Sequence, residues 1–190
     1  MRGVQLLKKL KESIQQFALP MSTDEDLNPL LDAIGGANIV LLGEASHGTS
    51  EFYKVRAEIS KRLIKEKGFT LIAVEGDWPS TQHINRFIKG YSKYSDTKEM
   101  LKAAFERWPT WMWANEEIAE FSTWLKDYNG HKEDKIGFYG IDVYSLWESL
   151  DEVIRYLKET DPNGTELQFA QRAISCFEPF NRHPETYALS

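Results

Sequence analysis

Ile39-Val40-Leu41-Leu42-Gly43-Glu44-Ala45-Ser46-His47-Gly48-Thr49-Ser50 is the stretch on which the reading of the fold turns. Four consecutive apolar residues suit a parallel strand covered on both faces. Gly43 and Gly48 bracket a turn that needs little side-chain bulk. Thr49 and Ser50 both offer an N-cap for a helix that follows. Between the glycines sit a carboxylate and an imidazole, Glu44 and His47. Open α/β sheets bind ligands outside the carboxyl ends of their strands, so this turn is the first candidate for chemistry.

Two later stretches repeat the pattern. Phe69-Thr70-Leu71-Ile72-Ala73-Val74-Glu75 is an apolar run that ends in an acid and leads into Gly76-Asp77-Trp78-Pro79. Ile136-Gly137-Phe138-Tyr139-Gly140-Ile141 ends in Asp142. Apolar helical periodicity follows each run: Phe52, Ile59, Leu63 and Ile64 to Gly68; Ile84, Phe87 and Ile88 after Pro79; Leu146, Leu150, Val153, Ile154 and Leu157 after Asp142. Pro79 suits the first turn of its helix and Gly68 the stop of the one before it.

The spacing predicts helices over about 3–17, 27–34 and 165–177, and an aromatic helical stretch over 99–128 broken at Pro109 and ended by Asn129-Gly130. Strands this far apart along the chain require crossover connections. The expectation is an α/β fold: a parallel sheet of strand–helix units flanked by helices, in one domain over residues 1–190, with the active site at the strand C-terminal ends.

Composition narrows the function. The net charge is −6 over 190 residues, and the basic residues are not concentrated on one stretch, which argues against nucleic acid or an anionic membrane as partner. One cysteine, Cys176, excludes an internal disulfide framework and a Cys-rich metal site, and fits a reducing cytoplasmic compartment. Charges at Lys8, Lys9, Lys11 and Glu12 interrupt any signal-peptide core, and no apolar run reaches transmembrane length. The six tryptophans lie mainly in the aromatic region, where core packing is the ordinary use.

The chemistry-bearing residues converge on the predicted strand ends. Glu44, Glu75 and Asp142 each close a strand, and His47 stands beside the first. A carboxylate can orient an imidazole, which then acts as general base on water. Arg56, on the following helix, is placed to counter the acids or to polarise a carbonyl. Asp77 and Asp142 also read as helix caps, and Arg56 as the partner of a surface acid such as Glu58. Ser46 beside His47 does not match the nucleophile elbow of serine hydrolases. Glu44, His47 and Glu75 form a mixed oxygen and nitrogen set that a divalent metal could use, so metal-assisted hydrolysis stays open beside cofactor-free chemistry. His83, His131 and His183 sit in no comparable setting.

With these motifs in hand, Leu42-Gly43-Glu44-Ala45-Ser46-His47-Gly48-Thr49-Ser50-Glu51-Phe52-Tyr53, then Arg56, then Ala73-Val74-Glu75-Gly76-Asp77-Trp78-Pro79, resembles the erythromycin esterase family. Trp113-Ala114-Asn115-Glu116-Glu117 with Trp124-Leu125, and Phe138-Tyr139-Gly140-Ile141-Asp142-Val143-Tyr144-Ser145-Leu146, resemble further blocks of it. The resemblance implies hydrolysis of a macrolide ring ester by activated water, and with it a role in antibiotic resistance. It implies His47 as general base, Glu44 and Glu75 as the acids and Arg56 as the arginine, with Asp77, Trp78, Asp142 and Tyr144 toward the substrate. Family members are longer than this chain and draw a second histidine from their later half, so the chain reads either as the N-terminal portion of such a fold or as a short member with an incomplete site. Its partner is then a small-molecule ester or macrolide. Exposed apolar surface and a homodimer are expected consequences. A metal-binding or ligand-binding domain of the same fold, without esterase turnover, is the alternative.

Overall fold

The structure, a computed structural model, describes residues 2–19, 21–106, 109–142 and 145–175. The chain divides into two compact units, Met1–Phe69 and Thr70–Ser190. The architecture is mixed α/β, with eight α-helices and a two-stranded parallel sheet among the described residues.

In the first unit, α1 (Arg2–Phe17) carries the periodic apolar residues Val4, Leu7, Leu10, Ile14 and Phe17, all exposed. Helix α2 (Asn28–Ile34) has Pro29 in its first turn, where the missing N–H costs nothing. Helix α3 (Ser50–Lys67) starts after Thr49 and ends at Gly68, whose φ of 73° is the left-handed conformation that glycine adopts without strain. Leu27, Leu31, Ile59 and Leu63 form the buried core of this unit.

The strand expected over Ile39–Leu42 is not formed. Val40 and Leu42 pack against the Leu27–Leu31–Ile59–Leu63 core, whereas Ile39 and Leu41 are 78% and 89% exposed. The alternation has the period of two of extended chain, but no ladder partner pairs with these residues, and a strand exists only as part of a ladder. Apolar content therefore buried one face of the segment without making it a covered parallel strand.

In the second unit, β1 (Leu71–Asp77) and β2 (Gly137–Asp142) pair in parallel, with Leu71 opposite Gly137, Val74 opposite Gly140 and Asp77 opposite Asp142. β1 lies two residues later than the expected 69–75 and includes Gly76 and Asp77. It is followed directly by α4 (Trp78–Ile88), then by α5 (Thr97–Ala104) and α6 (Glu116–Gly130); α7 (Leu146–Thr160) and α8 (Thr165–Ser175) follow β2. Asp96 caps α5 by accepting from the Glu99 amide, and Asn115 caps α6 by accepting from the Ile118 amide. The break expected at Pro109 falls between α5 and α6, where Pro109 precedes a 3-10 turn over Thr110–Met112 and Asn115 restarts the helix. The core gathers Ile84, Phe87, Ile88, Met100, Leu125 and Phe138, with Trp113 edge-on to Phe138 at 6.1 Å between centroids.

The amides of β2 that do not serve the sheet are met by side chains. Asn85 Oδ1 accepts from Phe138 N at 3.1 Å and Thr81 Oγ1 from Gly140 N at 2.6 Å. Asn129 donates to Ile88 O and Ile136 O and accepts from Ile136 N. Asn129-Gly130 ends α6 as expected, and Asn129 is in addition a buried latch between that last turn, α4 and the approach to β2. These bonds satisfy backbone groups that burial would otherwise leave at a cost. At Gly140 a Cβ would collide with Gly76 O, so the two strands approach as closely as they do only because that residue has no side chain.

Candidate active site

The first unit builds a compact acid–imidazole–guanidinium group. Residues 43–49 leave the segment before α3, and Ser46 Oγ and Thr49 Oγ1 meet at 3.2 Å across the turn. Gly48 has φ 77°, which lets the chain reverse into α3. The reversal returns His47 toward Glu44, with Nδ1 of the ring 2.5 Å from Glu44 Oε1. Glu44 Oε2 in turn forms an ion pair with Arg56 Nη2 at 2.8 Å. The carboxylate side chain is 10% exposed, the arginine 24% and the imidazole 46%.

This gradient of exposure matters chemically. The acid is held within the protein, and the imidazole reaches solvent. In the neutral imidazole with Nδ1–H donated to the carboxylate, Nε2 carries the free lone pair and is the basic nitrogen. Arg56 pairs with Glu44 and not with the surface acid Glu58, which pairs with Lys61 at 2.6 Å.

Tyr53 is a member of this group that the sequence reading passed over. It is buried, and the Arg56 guanidinium carbon stands 4.9 Å from its ring centroid. Burial, then the Glu44 charge, push its phenol above the ordinary value, against the opposing pull of the Gly48 amide and Arg56. The signal available in the sequence was the three-residue spacing of Tyr53 and Arg56, which places them on one face of a helix.

The second unit brings together the other predicted residues. Glu75 and Asp77 close β1, and Asp77 stands opposite Asp142 in the register. Asp77 occupies the N-cap position of α4, but its side chain does not cap the helix amides. Trp78 opens α4 with its indole 49% exposed and stacked on Tyr139 at 5.3 Å. Trp113 Nε1 donates to Glu75 O at 2.9 Å, so the backbone at the strand end is fixed by an aromatic side chain. Tyr144 lies outside the described residues.

Among the described residues no three His, Cys, Asp or Glu side chains gather in a way that could hold a metal ion. Glu44 and His47 face each other, with Nδ1 engaged by the carboxylate, and supply two donor groups. No described helix is long and apolar enough to cross a membrane.

Comparison with known proteins gives the family. The erythromycin esterase family model matches residues 64–190. Erythromycin esterase type II of Escherichia coli is 33% identical over 124 residues, which is 65% of this chain and 28% of that protein. A solved structure described as a succinoglycan biosynthesis protein has a TM-score of 0.64 and 34% identity, covering 82% of this chain and 40% of its own. A solved Bacillus cereus protein has a TM-score of 0.63 and 26% identity, covering 82% of this chain and 38% of its own. The chain thus spans well under half the length of each of these proteins, and within that span it belongs to the erythromycin esterase family, a family of hydrolases.

Proposed function

We propose that the chain carries the general-base half of an ester or lactone hydrolase, with a macrolide-type ring ester as the substrate class. The single observation that carries the reading is the relay Arg56–Glu44–His47, at 2.8 Å and 2.5 Å, with the imidazole at its solvent end. Glu44 holds the Nδ1–H tautomer, so Nε2 takes a proton from water as the water oxygen attacks the ester carbonyl. The C–O bond to the alcohol then breaks. The imidazolium returns its proton to the departing alkoxide, and the carboxylic acid and alcohol leave. Arg56 anchors the carboxylate. Such a step requires no cofactor.

Glu75 is assigned to the water and Asp77, Trp78, Asp142 and Tyr144 to the substrate on the strength of the sequence blocks they share with the family. The exposed Trp78 indole supports an apolar ligand surface at the end of β1. The test is mass spectrometry of a macrolide lactone incubated with the chain, with and without chelator. Gain of one water in both arms supports the reading. Gain abolished by chelator moves the chemistry to a metal, and an unchanged macrolide opposes the substrate class.

A further inference from the structure

The relay does not begin at Arg56. Arg56 is a long side chain, partly exposed, and an ion pair in that setting fixes its geometry weakly. Several rotatable bonds must be frozen for Nη2 to stay on Glu44 Oε2, and that freezing opposes the contact. A second contact with a rigid, buried partner selects one rotamer out of many. Tyr53, one turn earlier on α3 and 3% exposed, provides it: its ring lies 4.9 Å from the guanidinium carbon. Planar guanidinium groups sit favourably on aromatic faces, and the attraction strengthens where water is excluded. Burial and the Glu44 charge keep the phenol protonated, so the ring brings no negative charge to compete with Glu44 for Arg56.

We propose that Tyr53 is a positioning residue: its buried ring face fixes Arg56, Arg56 fixes Glu44, and Glu44 fixes the tautomer and orientation of His47. The four residues then form one unit in which the last is the most exposed to solvent. The inference rests on the hydrolytic reading of His47 given above, and the experiment separates the two.

A purely structural tyrosine would change stability and leave the imidazole alone. The distinguishing measurement is therefore nitrogen NMR of the His47 ring at one fixed pH, beside steady-state hydrolysis, in the wild-type chain, Tyr53→Phe and Tyr53→Leu. Wild type is expected to carry its ring proton on Nδ1. Tyr53→Phe keeps the ring face, retains that tautomer and keeps kcat within about threefold. Tyr53→Leu shifts the proton toward Nε2 and lowers kcat about tenfold with KM nearly unchanged, the size of one desolvated cation–π contact. A folded Tyr53→Leu with wild-type tautomer and kcat overturns the proposal. So does a Tyr53→Phe as impaired as Tyr53→Leu, because the ring face would then not be what acts.

If Tyr53→Leu does not fold, Arg56→Lys reads the same coupling. It keeps the charge but loses the planar group. A shifted His47 tautomer in this variant supports the proposal, and an unshifted one overturns it. Should the wild-type chain hydrolyse no ester, the functional reading fails by itself, and the NMR comparison still decides whether Tyr53 sets the imidazole.

Discussion

At the scale of single residues, the site is a question of which groups are held and which are free. Glu44 is enclosed and engaged on both oxygens, whereas His47 is nearly half exposed. A carboxylate that orients an imidazole without reacting should be replaceable in shape but not in charge. Glu44→Gln is therefore expected to fold normally and to lose about two to three orders of magnitude in kcat, the usual contribution of an oriented general base. Circular dichroism and steady-state rates on the same preparation check both halves of that statement. Tyr53 gives a second handle. Its folded-state phenol is raised above the ordinary value of 10.0 by burial first and the Glu44 charge second. The fold thus favours the protonated form. That contribution is fully present below the unfolded value and is lost as pH rises through the folded one. Thermal melts above about pH 10 should fall more steeply in wild type than in Tyr53→Phe. Parallel melting curves would contradict the assignment.

At the scale of elements, most of the helices could be read from the sequence because their information is local. Apolar steps of three and four, Pro29 and Pro79 in first turns and Gly68 at a left-handed terminus each act within one element. Glu44, His47 and Arg56 were legible for the same reason: a tight turn feeding a helix carries all three. Strand content was only partly legible. Ile39–Leu42 is as apolar as β1, but a run of apolar residues does not state which edge it will pair with, and here it pairs with none. Asn129 was legible only in part. As Asn-Gly it reads as a terminator, and α6 does end there, but three hydrogen bonds to Ile88 and Ile136 give it a tertiary task that local sequence does not reveal. Asn129→Ala should cost about 2–4 kcal/mol, because buried carbonyl and amide partners are left unmet. Urea denaturation reads this directly, and a loss below about 1 kcal/mol would mean that water replaces the side chain. The Gly76–Gly140 approach is a second constraint invisible to periodicity, since only the register of β1 on β2 creates it.

At the scale of the whole molecule, the described surface carries many exposed large apolar side chains. Ile39 and Leu41 in the first unit, Leu71 and Ile141 in the second, and the stripe of α1 are all open to solvent. Buried apolar area is the main favourable term in association, so the chain should self-associate. Sedimentation velocity over a hundredfold concentration range should give a rising weight-average mass, and a constant monomer mass would contradict this. The same surface is consistent with a chain that spans 28% of the Escherichia coli esterase it resembles. In the proposed reading, whether a span of that size performs chemistry depends on His47. The measurement that decides it is the rate of macrolide lactone hydrolysis by the wild-type chain and by His47→Ala, prepared and assayed side by side. The account predicts measurable hydrolysis by wild type and a loss of at least about a thousandfold in a variant that still folds. Hydrolysis by His47→Ala at close to the wild-type rate would contradict it.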